Sequence, residues 1–514
     1  MSDETIVILG IPVDNLTMDM AVSRIFSMVD DFAEDGRARL VATVNVDFLV
    51  NAHAWFRKHI RHPELLDILR RADMVTADGM PIVWASKLLG TPLRERVTGA
   101  DLVPRLAEEA SKRKKTIFFL GGKGDVGRKA SDLLKERYPG FEVAGVYSPF
   151  VHVEGDALLE TEAADEEIVD RINQSKADIL LLAFGNPKQE IWFERNRLRL
   201  KVPVSIGIGG TYEFIVGSVV RAPEWMQKSG TEWLFRITQD PKRLIKRYLI
   251  GFFKLGFMIW PALLHYRYQA LRYNRSHRSQ PDPQTAELKA VSGDMKVINF
   301  PTRVDAPFVK QHGGEMENAI GQAAFMALDF SRTNFIDSSG LGLIVKLWKR
   351  GPETKTGIYF TGIHGAVVHF FKLTRLWDLF QKKAYDDLDH LLDNLDREKL
   401  LPPFFMVVAE ETPDVVVLSL TGRLDAVQMT KIEMDAVIEN VGGRNCVFDL
   451  SGLDFVDGSG IFFFLKIQKA LVQKGKACAI SNVSGNVLQI FRISKLVHLF
   501  DLAPDVEAAK KRFH

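Results

Sequence analysis

A chain of 514 residues is too long for one hydrophobic core and points to about three domains. With 46% hydrophobic and 26% charged residues it has a globular composition, and its net charge of +2 lacks the overall basic excess of a nucleic-acid partner. Its two cysteines, Cys446 and Cys478, are too few for a disulfide framework or zinc-ligand spacing and read as buried, reduced thiols.

The start, MSDETIVILG, lacks the charged-then-apolar layout of a secretion signal, so the N-terminal part is expected in the cytoplasm. Thr5 to Gly10 is β-rich, and Thr17 is a plausible N-cap for a helix through Val29. The stretch Leu40 to Gly99 is the one around which the chain is organised. Two short apolar runs end in small polar residues, the first at Thr43 and Asn45, the second at Thr76, Asp78 and Gly79. Ligands of α/β sheets sit beyond the carboxyl ends of the strands, so Thr43, Asn45 and Asp78 are expected at one rim. Asp78 is the ionisable one and the candidate general base, although Asp-Gly also suits a turn or a helix cap.

A helix from Asp101 to Arg113 and a strand from Lys115 to Leu120 come next. Gly122, Gly124 and Gly127 then have the G-x-G-x-x-G spacing between strand and helix, with Glu142 about where a ribose-binding acid falls. That combination supports a rival reading, a nicotinamide-dependent oxidoreductase. The same loop could hold a UDP diphosphate or be a plain β-α turn, and the fingerprint normally follows the first strand of its domain. Asp178 to Phe184 is a further strand, ended by Gly185-Asn186-Pro187-Lys188-Gln189-Glu190. Pro187 suits a first helical turn, Lys188 could approach a phosphate, and Gln189 could hydrogen-bond a sugar or base. Val204 to Ile208 precedes Gly209-Gly210-Thr211. Alternating strands and helices predict an α/β, Rossmann-like domain with a mainly parallel sheet.

Arg221, Lys228, Arg236, Lys242, Arg243, Lys246 and Arg247 gather before the apolar run Tyr248 to Leu264, and Arg267, Arg272 and Arg275 follow it. The run is shorter than the ~20 residues of a span and holds Gly251, Lys254, Gly256 and Pro261. With Trp225, Trp233 and Trp260 nearby, it reads as an interfacial or re-entrant helix on an anionic leaflet. The alternative is an amphipathic helix packed on the sheet or on another subunit. The polar stretch at 276–294 reads as a linker. An internal duplication comes after it. Ala324 to Asp337 ends in Phe-Ile-Asp before Ser338-Ser339-Gly340, and Asn445 to Asp457 ends in Phe-Val-Asp before Gly458-Ser459-Gly460.

T-V-N-V-D, A-D-G-M-P-I-V-W, V-T-G-A-D-L, G-N-P-K-Q-E and E-W-L-F-R-I-T-Q-D-P-K-R-L together resemble the WecG/TagA/CpsF family of glycosyltransferases (family 26) over residues 1–275. The resemblance implies inverting transfer of a sugar from a UDP-sugar to a polyprenyl-diphosphate-linked saccharide, with N-acetylmannosamine, its uronic acid and glucose as candidate sugars. It implies Asp78 as base, Thr43, Asn45 and Gln189 in the donor pocket, and no metal or other cofactor; Gly122 and Gly124 of the glycine loop are then candidates to lie near the UDP diphosphate. It also implies a membrane-associating appendage, about 221–275, whose Arg221, Arg236, Arg243 and Arg247 meet the acceptor diphosphate. Lys246 followed by Arg247 departs from the family's usual arginine.

The duplicated segments, 295–400 and 403–514, resemble STAS domains, the fold of anti-sigma-factor antagonists. The resemblance implies regulatory phosphorylation at Ser339 and Ser459, with a serine kinase or phosphatase as partner. The two serines could instead only cap their helices. A kinase's ATP and the UDP-sugar are both cytoplasmic, so both halves are expected on the cytoplasmic side, peripherally attached to the inner face of the membrane, with a homo-oligomer possible. A scaffold with an inactive transferase domain is the second reading.

Overall fold

A computed structural model describes residues 4–53, 62–151, 161–276, 286–292, 295–392, 404–424, 426–430, 432–483, 485–493 and 500–513. The chain opens with a hairpin, β1 (Thr5–Ile8) and β2 (Ile11–Asp14), and then α1 (Met18–Asp35), which Thr17 caps by accepting from the Met20 amide. The transferase-like part then alternates strands with one or two helices. In order come β3 (Arg39–Val44), α2 (Val46–Ala52), α3 (Pro63–Arg71), β4 (Met74–Ala77), α4 (Met80–Leu88) and α5 (Gly99–Arg113). They are followed by β5 (Thr116–Gly121), α6 (Val126–Arg137), β6 (Glu142–Tyr147), α7 (Thr161–Ser175), β7 (Ile179–Ala183), α8 (Lys188–Asn196), β8 (Val204–Gly207) and α9 (Thr211–Val216).

The six strands β3 to β8 form one parallel sheet in the order β4-β3-β8-β7-β5-β6. Helices cover both faces, so the central strands are apolar on both sides rather than alternating. Leu40, Ala42 and Val44 of β3 enter one core, and Val41 enters the other. The loops after β3, β4, β7 and β8 consequently share one rim.

Short helices α10 (Glu224–Ser229) and α11 (Glu232–Gln239) lead into α12 (Pro241–Ser276), 36 residues without a break. The re-entrant alternative therefore fails. Pro261 is carried inside the helix, and Leu244–Tyr268 within it is long and apolar enough to cross a membrane. One face, including Leu255, Ile259 and Leu263, is buried against the N-terminal part, where α12 meets α2 and α4. The packed-helix alternative thus describes one face of α12 and leaves most of its apolar run uncovered by the chain.

The stretch expected as linker ends earlier than its sequence suggests. Glu287–Ser292 is a strand, β9, antiparallel to β10 (Met295–Asn299), because polar side chains do not prevent ladder formation at a sheet edge. The first repeat continues with β11 (Arg303–Val304), α13 (Ala306–Ala319), β12 (Phe325–Asp329), β13 (Phe335–Ile336), α14 (Ser338–Glu353), β14 (Gly357–Thr361), α15 (Gly365–Leu373), α16 (Trp377–Phe380) and β15 (Ala384–Tyr385). Its sheet runs β15-β14-β12-β10-β9. The second repeat has β16 (Phe404–Glu411), β17 (Val415–Leu424), α17 (Met434–Val441), β18 (Asn445–Val456), α18 (Gly458–Gln473), β19 (Cys478–Ser481), α19 (Gly485–Ile493) and β20 (Asp501–Ala503), with sheet order β16-β17-β18-β19-β20. Both sheets have one antiparallel edge followed by three parallel pairings, so the duplication extends to topology. Cys446 and Cys478 are register partners on β18 and β19, buried as free thiols, and burial pushes the Cys478 thiol up to about 12.

Candidate active site

Strand β3 ends at the rim with Thr43 and Asn45. The Thr43 hydroxyl is buried and donates to the Gly207 carbonyl at 2.7 Å, tying the end of β3 to that of β8. Asn45 is the N-cap of α2, its Oδ1 accepting from the Asp47 amide at 3.0 Å, and its Cβ faces Gly79. Asp78 follows β4 directly, its amide donating to the Val44 carbonyl at 2.7 Å. Gly79 then has φ +142°, a conformation that favours glycine, and it turns the chain into α4. Thr43, Asn45 and Asp78 thus meet at one rim.

Burial pushes the Asp78 carboxyl up to about 6. Arg236 and Arg96 oppose that shift, and Glu232 and Asp101 add to it. Two ion pairs bind the appendage to the rest of the site, Arg96 with Glu232 at 2.8 Å and Arg221 with Asp101 at 2.6 Å, while Arg236 pairs with Glu232 within α11 at 3.4 Å. Arg236 also lies 4.5 Å over the Phe214 ring. Sequence reasoning missed Arg96. Its signal was its place in the loop ahead of V-T-G-A-D-L, which returns from α4 to the rim. The side chains of Arg243 and Arg247 lie outside the described residues.

Gln189 differs from its expected role. Its side chain is buried and already engaged. Oε1 accepts from the Gly185 and Gly209 amides at 3.2 and 3.1 Å, and Nε2 donates to Glu190 Oε1 at 2.7 Å. It therefore clamps the loops after β7 and β8 and does not project into the pocket. Glu190, a second residue missed from the sequence, is fully buried and also accepts from Asn186 Nδ2 at 3.3 Å. Asn186 in turn accepts from Asn51 at 2.7 Å. Burial pushes Glu190 up to about 7 against these hydrogen bonds. Its signal was its place in G-N-P-K-Q-E. Pro187 is the N-cap of α8 after a cis peptide bond, and the Lys188 ammonium lies 4.9 Å over the Phe150 ring.

The glycine loop gives the oxidoreductase no support. Glu142 is the exposed first residue of β6, at the amino end of the sheet, whereas a ribose-binding acid belongs at the ligand rim. A Cβ at Gly122 would meet the Tyr212 ring at 3.0 Å, so that glycine serves packing, while Gly124 has open space around it and φ +55°.

In the repeats the helix caps are Asp337 and Asp457, not the serines. Asp337 accepts from the Ser339 and Gly340 amides, both at 2.9 Å, and Asp457 from the Gly460 amide at 3.0 Å. Ser339 and Ser459 are both buried. Neither is open to a kinase in this arrangement.

The family described as "Glycosyl transferase WecG/TagA/CpsF family" matches residues 6–269. The chain belongs to that family of glycosyltransferases. A relative in Staphylococcus aureus (strain MRSA252) named N-acetylglucosaminyldiphosphoundecaprenol N-acetyl-beta-D-mannosaminyltransferase is 32% identical over 238 residues, 46% of this chain and 85% of that protein. A relative of the same name in Bacillus spizizenii (strain W23) is 31% identical over 184 residues, 36% of this chain and 67% of that protein. The STAS domain family matches residues 287–391 and 406–509, so this glycosyltransferase carries two STAS domains. A solved anti-sigma factor antagonist from Mycobacterium paratuberculosis aligns at 20% identity and a TM-score of 0.20, covering 21% of this chain and 93% of that one.

Proposed function

We propose that this glycosyltransferase moves a sugar, with inversion, from a UDP-sugar to a saccharide carried on a polyprenyl diphosphate, in the assembly of a surface polysaccharide. The observation that carries the reading is Asp78, a buried carboxyl pushed up to about 6 at the rim beside Thr43 and Asn45, with Arg96 and Arg236 opposing the shift. Such a carboxyl suits a general base. The acceptor hydroxyl attacks the anomeric carbon and gives its proton to Asp78. The bond from that carbon to the UDP oxygen breaks, and UDP leaves with the electron pair. In this reading the acceptor diphosphate is held by Arg221 and Arg236, with Arg243 and Arg247 as the family resemblance implies, because its oxygens suit the planar arginine fork. The diphosphate charge is met by these arginines without a metal. The names of the relatives favour N-acetylmannosamine as the transferred sugar and an N-acetylglucosaminyl diphosphate lipid as acceptor. The STAS domains regulate the transfer. UDP release measured across a panel of UDP-sugars with a lipid-linked acceptor analogue tests the reading. Acceptor-dependent release with UDP-N-acetylmannosamine is expected, and none with any UDP-sugar would overturn it.

The protein works at the cytoplasmic face of the membrane. Support comes from the outer face of α12, where Leu249, Phe253, Phe257, Trp260 and Leu264 form an exposed stripe at helical spacing, Phe253 at 69% and Trp260 at 60%. Basic residues flank the stripe, as in helices that lie along an anionic leaflet. Replacing Leu249, Phe253, Phe257 and Trp260 with serine is expected to abolish co-sedimentation with anionic liposomes, and salt is expected to weaken binding of the unaltered protein. Undiminished sedimentation of the variant would remove α12 from membrane attachment.

A further inference from the structure

We propose that the transferase part of this same chain is the docking partner of both STAS domains, and that the first STAS domain, seated in cis, holds the appendage in place over Asp78. The proposal deepens the regulatory reading above and rests on it.

The first domain docks through the start and one face of α14. Ser338 Oγ donates to the Val7 carbonyl at 2.6 Å, and Ser339 Oγ donates to Glu4 Oε1 at 2.6 Å. A Cβ on Gly342 would collide with the Thr5 carbonyl, so this glycine is what allows helix and hairpin to meet. Strand β1 is thereby buried on both sides, Ile6 and Ile8 in a transferase core and Val7 in the core of the first STAS domain.

Charge complementarity makes the contact specific. Lys349 of α14 donates to the Ala72 carbonyl and faces the buried carboxylates of Asp14 and Asp73. Asp14 binds the Val75 amide of β4, Thr5 Oγ1 and Arg24. Asp73 binds the Leu40 amide, Arg37 and Arg197. In the opposite direction Arg70 of α3, almost fully buried, reaches the Arg375 carbonyl and Asp378 at 3.1 Å. The next residue, Arg71, lies 3.9 Å from Asp457, the cap of the equivalent helix in the second STAS domain. Arg195 of α8 lies 5.3 Å over Phe462 on that helix. Both repeats thus present the same helix start to the transferase, and adjacent arginines at the end of α3 reach one repeat each, Arg70 the turn after α15 and Arg71 the helix cap Asp457.

Two routes lead from this seam to the site. Ala72 and Asp73 immediately precede β4, and Asp78 follows it. The inner face of α12 is held between the two parts, with Tyr266 5.9 Å from Phe335 and His265 5.7 Å from Phe370. Where hairpin, α12 and STAS domain meet, lined by Val7, Ile259, Tyr266 and Phe370, a void of only about 10 Å³ remains. Seams packed this closely transmit displacement rather than absorbing it.

Ser339→Asp and Lys349→Met in the full chain test the proposal. The first sets a carboxylate beside Glu4 and Asp337, and the second withdraws the cation from between Asp14 and Asp73. Both are expected to speed hydrogen exchange at the β1 amides and to raise the acceptor KM on the order of tenfold, an ordinary inter-site coupling. The donor KM should stay unchanged. Faster exchange with an unchanged acceptor KM would overturn the coupling, and unchanged exchange in both would overturn the docking. Should Lys349→Met fail to fold, Ser338→Ala, which loses only the bond to Val7, takes its place with the same readings. If the unaltered chain releases no UDP from any donor, the functional reading falls, while exchange at β1 still decides the docking.

Discussion

Asp78→Asn is expected to lower turnover by about 10² or more while leaving donor binding intact, because the amide keeps the shape of the side chain and cannot take a proton. The pH profile supplies the independent sign. A base works deprotonated, and burial holds Asp78 at about 6, so kcat/KM should fall as pH drops through about 6. Arg236→Ala removes a cation that favours the carboxylate and should move this acidic limb to higher pH. A residue with only a structural role would lower the rate without moving the limb. Stability should change in the other direction. The folded value lies above that of an exposed aspartate, so the stabilisation is complete below the unfolded value and is lost as pH rises through about 6. Asp78→Asn should therefore melt higher than the unaltered protein at pH 8. Unchanged turnover would remove Asp78 from the mechanism.

Glu190→Ala is expected to cost about 2–4 kcal/mol of stability, since it opens a cavity and strips the acceptor from Gln189 Nε2 and Asn186 Nδ2 in a buried setting. Without that acceptor the Gln189 amide loses its fixed orientation, and the Gly185 and Gly209 loops lose their clamp. The donor KM should then rise more than kcat falls. Glu190→Gln separates the hydrogen bond from the charge. In the unaltered protein, folding stability should be greatest below the ordinary glutamate range and decline as pH rises through about 7, by about 3 kcal/mol in all. In Glu190→Gln that part of the decline should vanish. Denaturant unfolding at pH 5 and pH 8.5 measures both, and parallel pH dependence in the two proteins would show that Glu190 does not carry the proton.

The sequence by itself determined the layout. Apolar runs that end in small polar residues are what central parallel strands look like, and these ends fall at one rim whatever the packing details, so Thr43, Asn45 and Asp78 were legible as neighbours. The duplication was legible too, because Phe-Ile-Asp and Phe-Val-Asp recur before equivalent helices. Only the tertiary structure decided which side chains are spent on the protein itself. Gln189 reads as a ligand group until Gly185 and Gly209, brought together from two strand ends, occupy its carbonyl. Gly122 reads as a phosphate glycine until the Tyr212 ring fills its place. Arg96 and Glu190 gain their roles from partners at distant positions, Glu232 for the one and Asn51 through Asn186 for the other. Ser339 and Ser459 look like exposed helix starts, yet residues more than 260 positions earlier in the chain cover the helices that bear them. Hydrogen-bond saturation and burial depend on contacts remote in sequence, and local pattern carries no record of them.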